Sequence, residues 1–170
     1  MFRRVEDFKD IWKGEVEKTM ALFAAIPTTA LSQSVLPEHR NLRRMAWHIV
    51  ESAVEMPALV GIQIPEVPLV DGHIGEPPVD MDTIVAIYAK ATASLADRIG
   101  SWNNAELGRS FDCYGEKWSG GFLLWVLVAH QVHHRGQMSV LMRQAGLKVP
   151  DIYGPAKEGW GAYGMDAPAV

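Results

Sequence analysis

The segment from Phe122 to Gly146 constrains this chain more than any other. It opens with eight apolar residues in a row, Phe122-Leu-Leu-Trp-Val-Leu-Val-Ala129, and continues through Val132, Met138, Leu141, Met142 and Ala145. The apolar run alone fits a buried strand as well as a helix. Its continuation at helical spacing, closed by Gly146 where a C′ glycine belongs, fits a helix from about Gly121 to Ala145. Apolar residues on every side of its first half imply a helix buried on most faces.

Three further segments share that period. From about Val5 to Ile26, the residues Val5, Phe8, Trp12, Val16, Thr19 and Phe23 recur at spacings of three and four, with Ile11, Leu22 and Ile26 widening the stripe and Pro27 ending it. From about Arg40 to Val60 the stripe is Leu42, Met45, Ile49, Ala53, Met56 and Leu59 or Val60; Pro57 predicts a kink or an early end. From about Asp82 to Ser101 it is Ile84, Ile87 or Tyr88, Ala91, Leu95 and Ile99, with Asp80 or Asp82 as the N-cap. The connector Gly61 to Asp80 carries Pro65, Pro68, Gly72, Gly75, Pro77 and Pro78. A connection this long is often functional, and it could cross over the end of a bundle. Asn103 to Gly121 reads as loop with a short extended piece at Ser110 to Tyr114, and the tail from Lys148 as irregular. The expectation is an all-α single domain, residues 1–170, built as a four-helix bundle with a long connector between helices two and three.

The net charge of −4 argues against nucleic acid as a partner, because phosphate neutralisation needs surplus Lys and Arg. The clusters Arg3-Arg4 and Arg40 to Arg44 read as solvated faces. One cysteine, Cys113, excludes an internal disulfide and fits a reducing compartment; Phe111 and Trp118 place it in a partly buried setting. The N-terminus lacks the apolar core of a signal peptide. No apolar run approaches the ~20 residues that span a bilayer. A soluble, cytoplasmic protein without a membrane partner is expected.

The densest chemical signal is His130-Gln-Val-His133-His134-Arg135-Gly136-Gln137. His130 and His134, four apart on a helix, present both imidazoles on one face and could share a metal. His130 and His133, three apart, form a competing pair. An imidazole on the most buried helix needs a partner, which a backbone carbonyl or a Glu could also supply. His48, mid-helix and on the stripe side of the second helix, is the best third ligand. His39 and His73 are expected to be exposed.

The run Leu127 to Met138, the tail Gly146-Leu-Lys-Val-Pro150-Asp-Ile-Tyr153-Gly154-Pro155 and Ala46-Trp47-His48-Ile49 together resemble the DinB-like (DinB/YfiT) family of bacterial helical bundles. The resemblance implies a metal held by His48, His130 and His134, with His133 not a ligand. It also implies a homodimer and a link to transferases and isomerases that use low-molecular-weight thiols such as mycothiol or bacillithiol.

A neutral three-histidine site leaves a coordination position open, as in catalytic zinc centres. Zinc, nickel, iron and manganese all accept imidazole. Glu51, three residues after His48, could orient it or act as a base, and Arg44 shares that face. Arg135 could clamp a substrate carboxylate, although a structural pair with an acid is the favoured reading. Gln137 could touch the site, Tyr153 could return over it, and Gly136 could admit a neighbouring helix. Trp12, Trp47 and Trp125 fit core or subunit packing; Trp102, Trp118 and Trp160 fit an interface or a pocket rim. Two functions follow. One is a metal-dependent transferase or hydrolase activating a thiol or a water, with a small electrophile as co-substrate. The other is a non-catalytic protein with a structural or sensory metal and a dimerisation role.

Overall fold

Each of the four helical patterns becomes a helix whose ends are set by local chemistry. The computed structural model describes residues 1–169. Its long helices are α1 (Val5–Ala24), α2 (Leu42–Ala58), α3 (Met81–Gly100) and α4 (Gly120–Gln144). Side-chain oxygens cap three of them: Asn41 accepts from the Arg44 amide at 2.9 Å, Asp80 from Thr83 at 2.7 Å and Ser119 from Phe122 at 3.2 Å. Pro57 sits in the last turn of α2, which ends one residue later. Gly146 closes α4 in the left-handed region, at φ +74°.

The helices form a ring in which α1 packs on α3 and α4, and α2 packs on α3 and α4. Their directions follow from residue pairs. Phe2 N donates to Gly121 O and Arg135 reaches Glu15, so α1 and α4 run parallel. A Cβ on Gly121 would lie 2.2 Å from the Phe2 carbonyl oxygen, so this close approach requires glycine. Lys9 lies against Gly100 and Trp12 against Thr92, whereas Phe23 packs on Tyr88, so α1 and α3 run antiparallel. In α2 and α4, Ser52 meets Gln131 while Met45 and Leu141 share one cleft, which is again antiparallel. It follows that α2 and α3, consecutive in sequence, run parallel. The connector must therefore return the length of the bundle, about 25 Å for a 17-residue helix. It runs along α2, burying Ile62, Ile64 and Val67, and its Gly75 carbonyl accepts from Trp47 Nε1 at 2.8 Å. The connector's length is thus a topological requirement rather than a lid.

Several expectations are corrected. Ser110–Cys113 (β1) and Glu116–Ser119 (β2) form an antiparallel hairpin where a loop with one extended piece was expected. Its turn, Tyr114-Gly115, holds both residues at positive φ. The buried stripe of α1 passes through Glu15, with Val16 only half-buried and Ile11 exposed, because Glu15 turns inward to meet a charge on α4. The first half of α4 is not enclosed: Trp125 is 46% exposed and Ala129 is exposed, since among the described residues α1 and α2 are the long helices that pack along α4. Gly136 is exposed with nothing near its missing Cβ, so no helix approaches there. Cys113 is wholly buried, and burial pushes its thiol pKa up. No helix among the described residues is long and apolar enough to cross a membrane.

Candidate metal centre

The inward stripe of α4 carries three polar residues among its apolar ones: Gln131, His134 and Arg135. Each has found partners. Gln131 is wholly buried; it accepts from Tyr88 Oη at 3.0 Å and donates to Ile49 O at 2.9 Å and Ser52 Oγ at 2.8 Å. This amide ties α4 to α2 and α3 directly beneath the histidines. Burial raises the Tyr88 pKa well above its usual range, so the hydroxyl stays a donor. Gln131 was missed at the sequence level, although a lone amide on an apolar stripe is itself a signal.

One step along the helix, His130 and His134 meet His48 from α2. The three offer ring nitrogens that all lie within 4.8 Å of one another and could hold one metal ion. Ring centroids are 4.3–4.9 Å apart. The orientation of two rings is set from behind. His48 Nδ1 faces Glu51 Oε2 at 3.1 Å, so Nδ1 carries the proton and the Nε2 lone pair is free. His134 Nδ1 donates to Gln137 Oε1 at 2.7 Å, and Gln137 Nε2 donates to His133 Nε2 at 3.0 Å. His133 is exposed and stands outside the group of three.

The Nε2 atoms of His130 and His134 are 3.1 Å apart. Two lone pairs at that distance repel, so either a proton or a cation must lie between them. Tetrahedral ligation at 2.0–2.1 Å separates donors by about 3.3–3.4 Å, so a metal fits with little movement. The Nδ1 of His130 is buried without a protein partner, leaving this ring the least anchored of the three. Burial, reinforced by the neighbouring rings, lowers His130 to a pKa of about 4. Burial likewise takes His134 to about 4, against the opposing Gln137 bond. Both are therefore neutral at pH 7, as ligation requires.

Glu51 is nearly buried. Arg44 holds it through Nη1 at 2.9 Å and Nη2 at 3.2 Å. Burial alone would raise its pKa; the His48 bond and Arg44 outweigh that and lower it. Glu51 is thus an ionised carboxylate behind His48, at a place where spacing could put it only on the same face.

Arg135, in contrast, lies away from the imidazoles. It is 2% exposed and pairs with Glu15 of α1. Its Nη1 also donates to Glu15 O at 3.0 Å and to Thr19 Oγ1 at 2.8 Å, and Nη2 donates to Tyr153 Oη at 2.6 Å. Tyr153 donates in turn to Glu15. Both Nη atoms are taken by protein groups, and Nε is buried without a partner among the described residues, so the structural pair with an acid holds and the carboxylate clamp does not. Tyr153 fastens the C-terminal tail to α1 and α4 and does not return over the histidines. Glu15 went unnoticed in the sequence because an acid beside Val16 on a long helix resembles a surface residue.

A cleft of about 410 Å³ opens beside the histidines, with His134 and Gln137 among its lining residues. Its rim comes from the segment before α2, including His39 and Arg40, and no residue of the long connector lines it.

The DinB family model matches residues 1–165. An uncharacterised protein of Bacillus subtilis, YrdA, is 35% identical over the whole of both chains. The crystal structure of a DinB-like protein from Bacillus cereus superposes with a TM-score of 0.81 at 33% identity, covering 90% of this chain and 100% of that one. A second DinB-like protein, from Bacillus subtilis, shares the fold at 17% identity, with a TM-score of 0.68 over 88% of this chain and 99% of that one.

Proposed function

The chain belongs to the DinB family, and on that premise we propose that it is a metal-dependent enzyme in which His48, His130 and His134 hold a divalent ion. The observation that carries this reading is the convergence of three imidazoles from two helices, two of them oriented from behind by Glu51 and Gln137. The chemistry a divalent ion supplies in such a neutral donor set is acidification of a thiol or a water at an open position. The reaction class is transfer of a low-molecular-weight thiol to a small electrophile, or hydrolysis. Zinc, nickel, iron and manganese all suit the donors.

The chain's own groups have separate tasks. Glu51 keeps the proton on His48 Nδ1, and Arg44 keeps Glu51 ionised. Gln137 does the same for His134 through its carbonyl. Gln131 fixes the spacing of α2 and α4, and so the distance from His48 to the α4 pair. The cleft beside His134 is the entry route.

Elemental analysis of untagged protein, beside a His48→Ala variant of unchanged helicity, tests the site. About one equivalent of metal in the wild type, lost in the variant, is expected. Equal contents in both, or none after incubation with zinc, nickel or manganese, would overturn the reading.

A second reading, a structural or sensory ion in an assembling protein, draws on the surface of the hairpin and α4. Tyr114, Trp118, Phe122 and Trp125 touch in sequence there with centroids 5.1–5.8 Å apart, first tilted, then edge to face, then stacked, and Tyr114 and Trp125 are exposed. Such a ladder is the natural face for a homodimer under either reading. Trp125→Ser is expected to convert a dimer into a monomer in sedimentation; an unchanged mass would place the contact elsewhere.

A further inference from the structure

The cleft beside His134 has an uneven distribution of charge. Its walls are apolar: Val35, Met45, Val140 and Leu141. Its polar lining consists of the buried His134 and of Gln137, His39 and Arg40, which are exposed, with no carboxylate among them. Glu38 is the acid beside the mouth; it lies 3.8 Å from His39 and is 69% exposed.

Arg40 and Arg43 are the arginines at this end of the bundle without an ion pair among the described residues, and of the two only Arg40 lines the cleft. Arg44 pairs with Glu51, Arg135 with Glu15 and Arg143 with Glu158. Arg40 makes no ion pair with any described residue and is exposed at the cleft mouth. An unpaired guanidinium above apolar walls suits a ligand with a negative head and an apolar body.

We propose that this cleft binds a small amphipathic carboxylate, its apolar part against Val35, Met45, Val140 and Leu141 and its carboxylate on Arg40. The ligand's far end then lies over His134. That last placement rests on the metal reading above, whereas the anion site stands on the cleft alone.

The test uses hexanoate and hexan-1-ol, two probes of equal chain length that differ in charge. Each is titrated into the full chain, metal-free and metal-loaded, with affinity read from amide shifts in two-dimensional NMR spectra. Hexanoate is expected to bind roughly tenfold more tightly than hexan-1-ol, moving the amides of Arg40, Met45 and Leu141. Arg40→Gln is expected to abolish the preference while leaving hexan-1-ol binding unchanged, and Arg40→Lys to restore part of it. Equal affinities in the wild type, no measurable hexanoate binding, shifts that map to another face, or a preference that survives Arg40→Gln would each overturn the proposal. A protein that holds no metal yet shows the Arg40-dependent preference would sink the metal reading and leave this one standing.

Discussion

Replacing Arg135 by methionine is expected to cost about 3–5 kcal/mol of stability, a fall in Tm of roughly 6–20 °C for a domain of this size. The reason lies in what remains. Glu15 is 6% exposed, and burial alone would raise its pKa; its bonds to Tyr153 and Arg135 outweigh that and keep the carboxyl ionised. Without the guanidinium, the Glu15 carboxylate and carbonyl, the Thr19 hydroxyl and the Tyr153 hydroxyl lose their shared partner together. Lys18, at 3.2 Å from the other carboxylate oxygen, compensates only in part. The double variant Glu15→Met/Arg135→Met should recover most of the loss, because removing both charges also removes their desolvation cost. Thermal melts of the two single variants and the double variant measure the coupling directly. Metal content should be unchanged in the double variant, since the pair lies outside the histidine cluster. An Arg135→Met protein that melts with the wild type would show that the pair holds nothing together.

Acid is expected to act on this protein in two separable stages. In the folded chain His130 and His134 titrate at about 4, against 6.5 for a free imidazole. At pH 5.5 an ordinary imidazole is roughly nine-tenths protonated, whereas one titrating near 4 is almost entirely neutral. Protons should therefore compete with a bound metal for these two rings only near pH 4 and below, read as metal content after dialysis across a pH series. The stability of the metal-free protein follows the same groups. The unfolded chain takes up protons on these histidines from about pH 6.5 downward while the folded chain does not, so folding loses free energy as the pH falls from about 6.5 to about 4. The lowered carboxylates Glu15 and Glu51 add to the loss at the acid end. Their stabilisation is present above their unfolded value of 4.5 and fades as the pH drops through their lower folded values. Urea midpoints of metal-free protein that stayed flat between pH 7 and 4.5 would contradict the buried, neutral state of the two rings.

How far the sequence could be read depended on what each feature asks of its neighbours. The helices are legible because their stripes are local: Ile84, Tyr88, Ala91, Leu95 and Ile99 repeat at helical spacing, and all are buried. The histidines are legible because two of them share a turn of α4 and the third falls on the inward side of α2. Pairings between distant segments are not legible. Nothing within α1 announces that Glu15 will meet Arg135, 120 positions away, and that pairing moved the buried stripe off Val16. The exposure of Trp125 was hidden for a similar reason. Eight apolar residues in a row imply burial on all sides only if enough neighbours exist, and the ring of four leaves α4 with two. The cleft was hidden too, since its walls come from α4, from Met45 of α2 and from the segment before α2, and the basic cluster containing Arg40 looks like a solvated face when read alone.

The order of the helices in the ring bears on how this chain reaches its native state. α1 and α2 lie across the bundle from one another, as do α3 and α4, and the adjacent pair α2 and α3 is parallel. No two helices consecutive in the chain therefore form an antiparallel hairpin, the local unit from which many bundles start to fold. Every helix–helix seam must wait for a long loop to close, and α1 meets its parallel neighbour α4 only when more than a hundred intervening residues are in place. Such a chain should fold more slowly than an up-and-down bundle of its size and in few separable steps. Protection from hydrogen exchange should then emerge in all four helices together, with neither half forming a stable piece on its own.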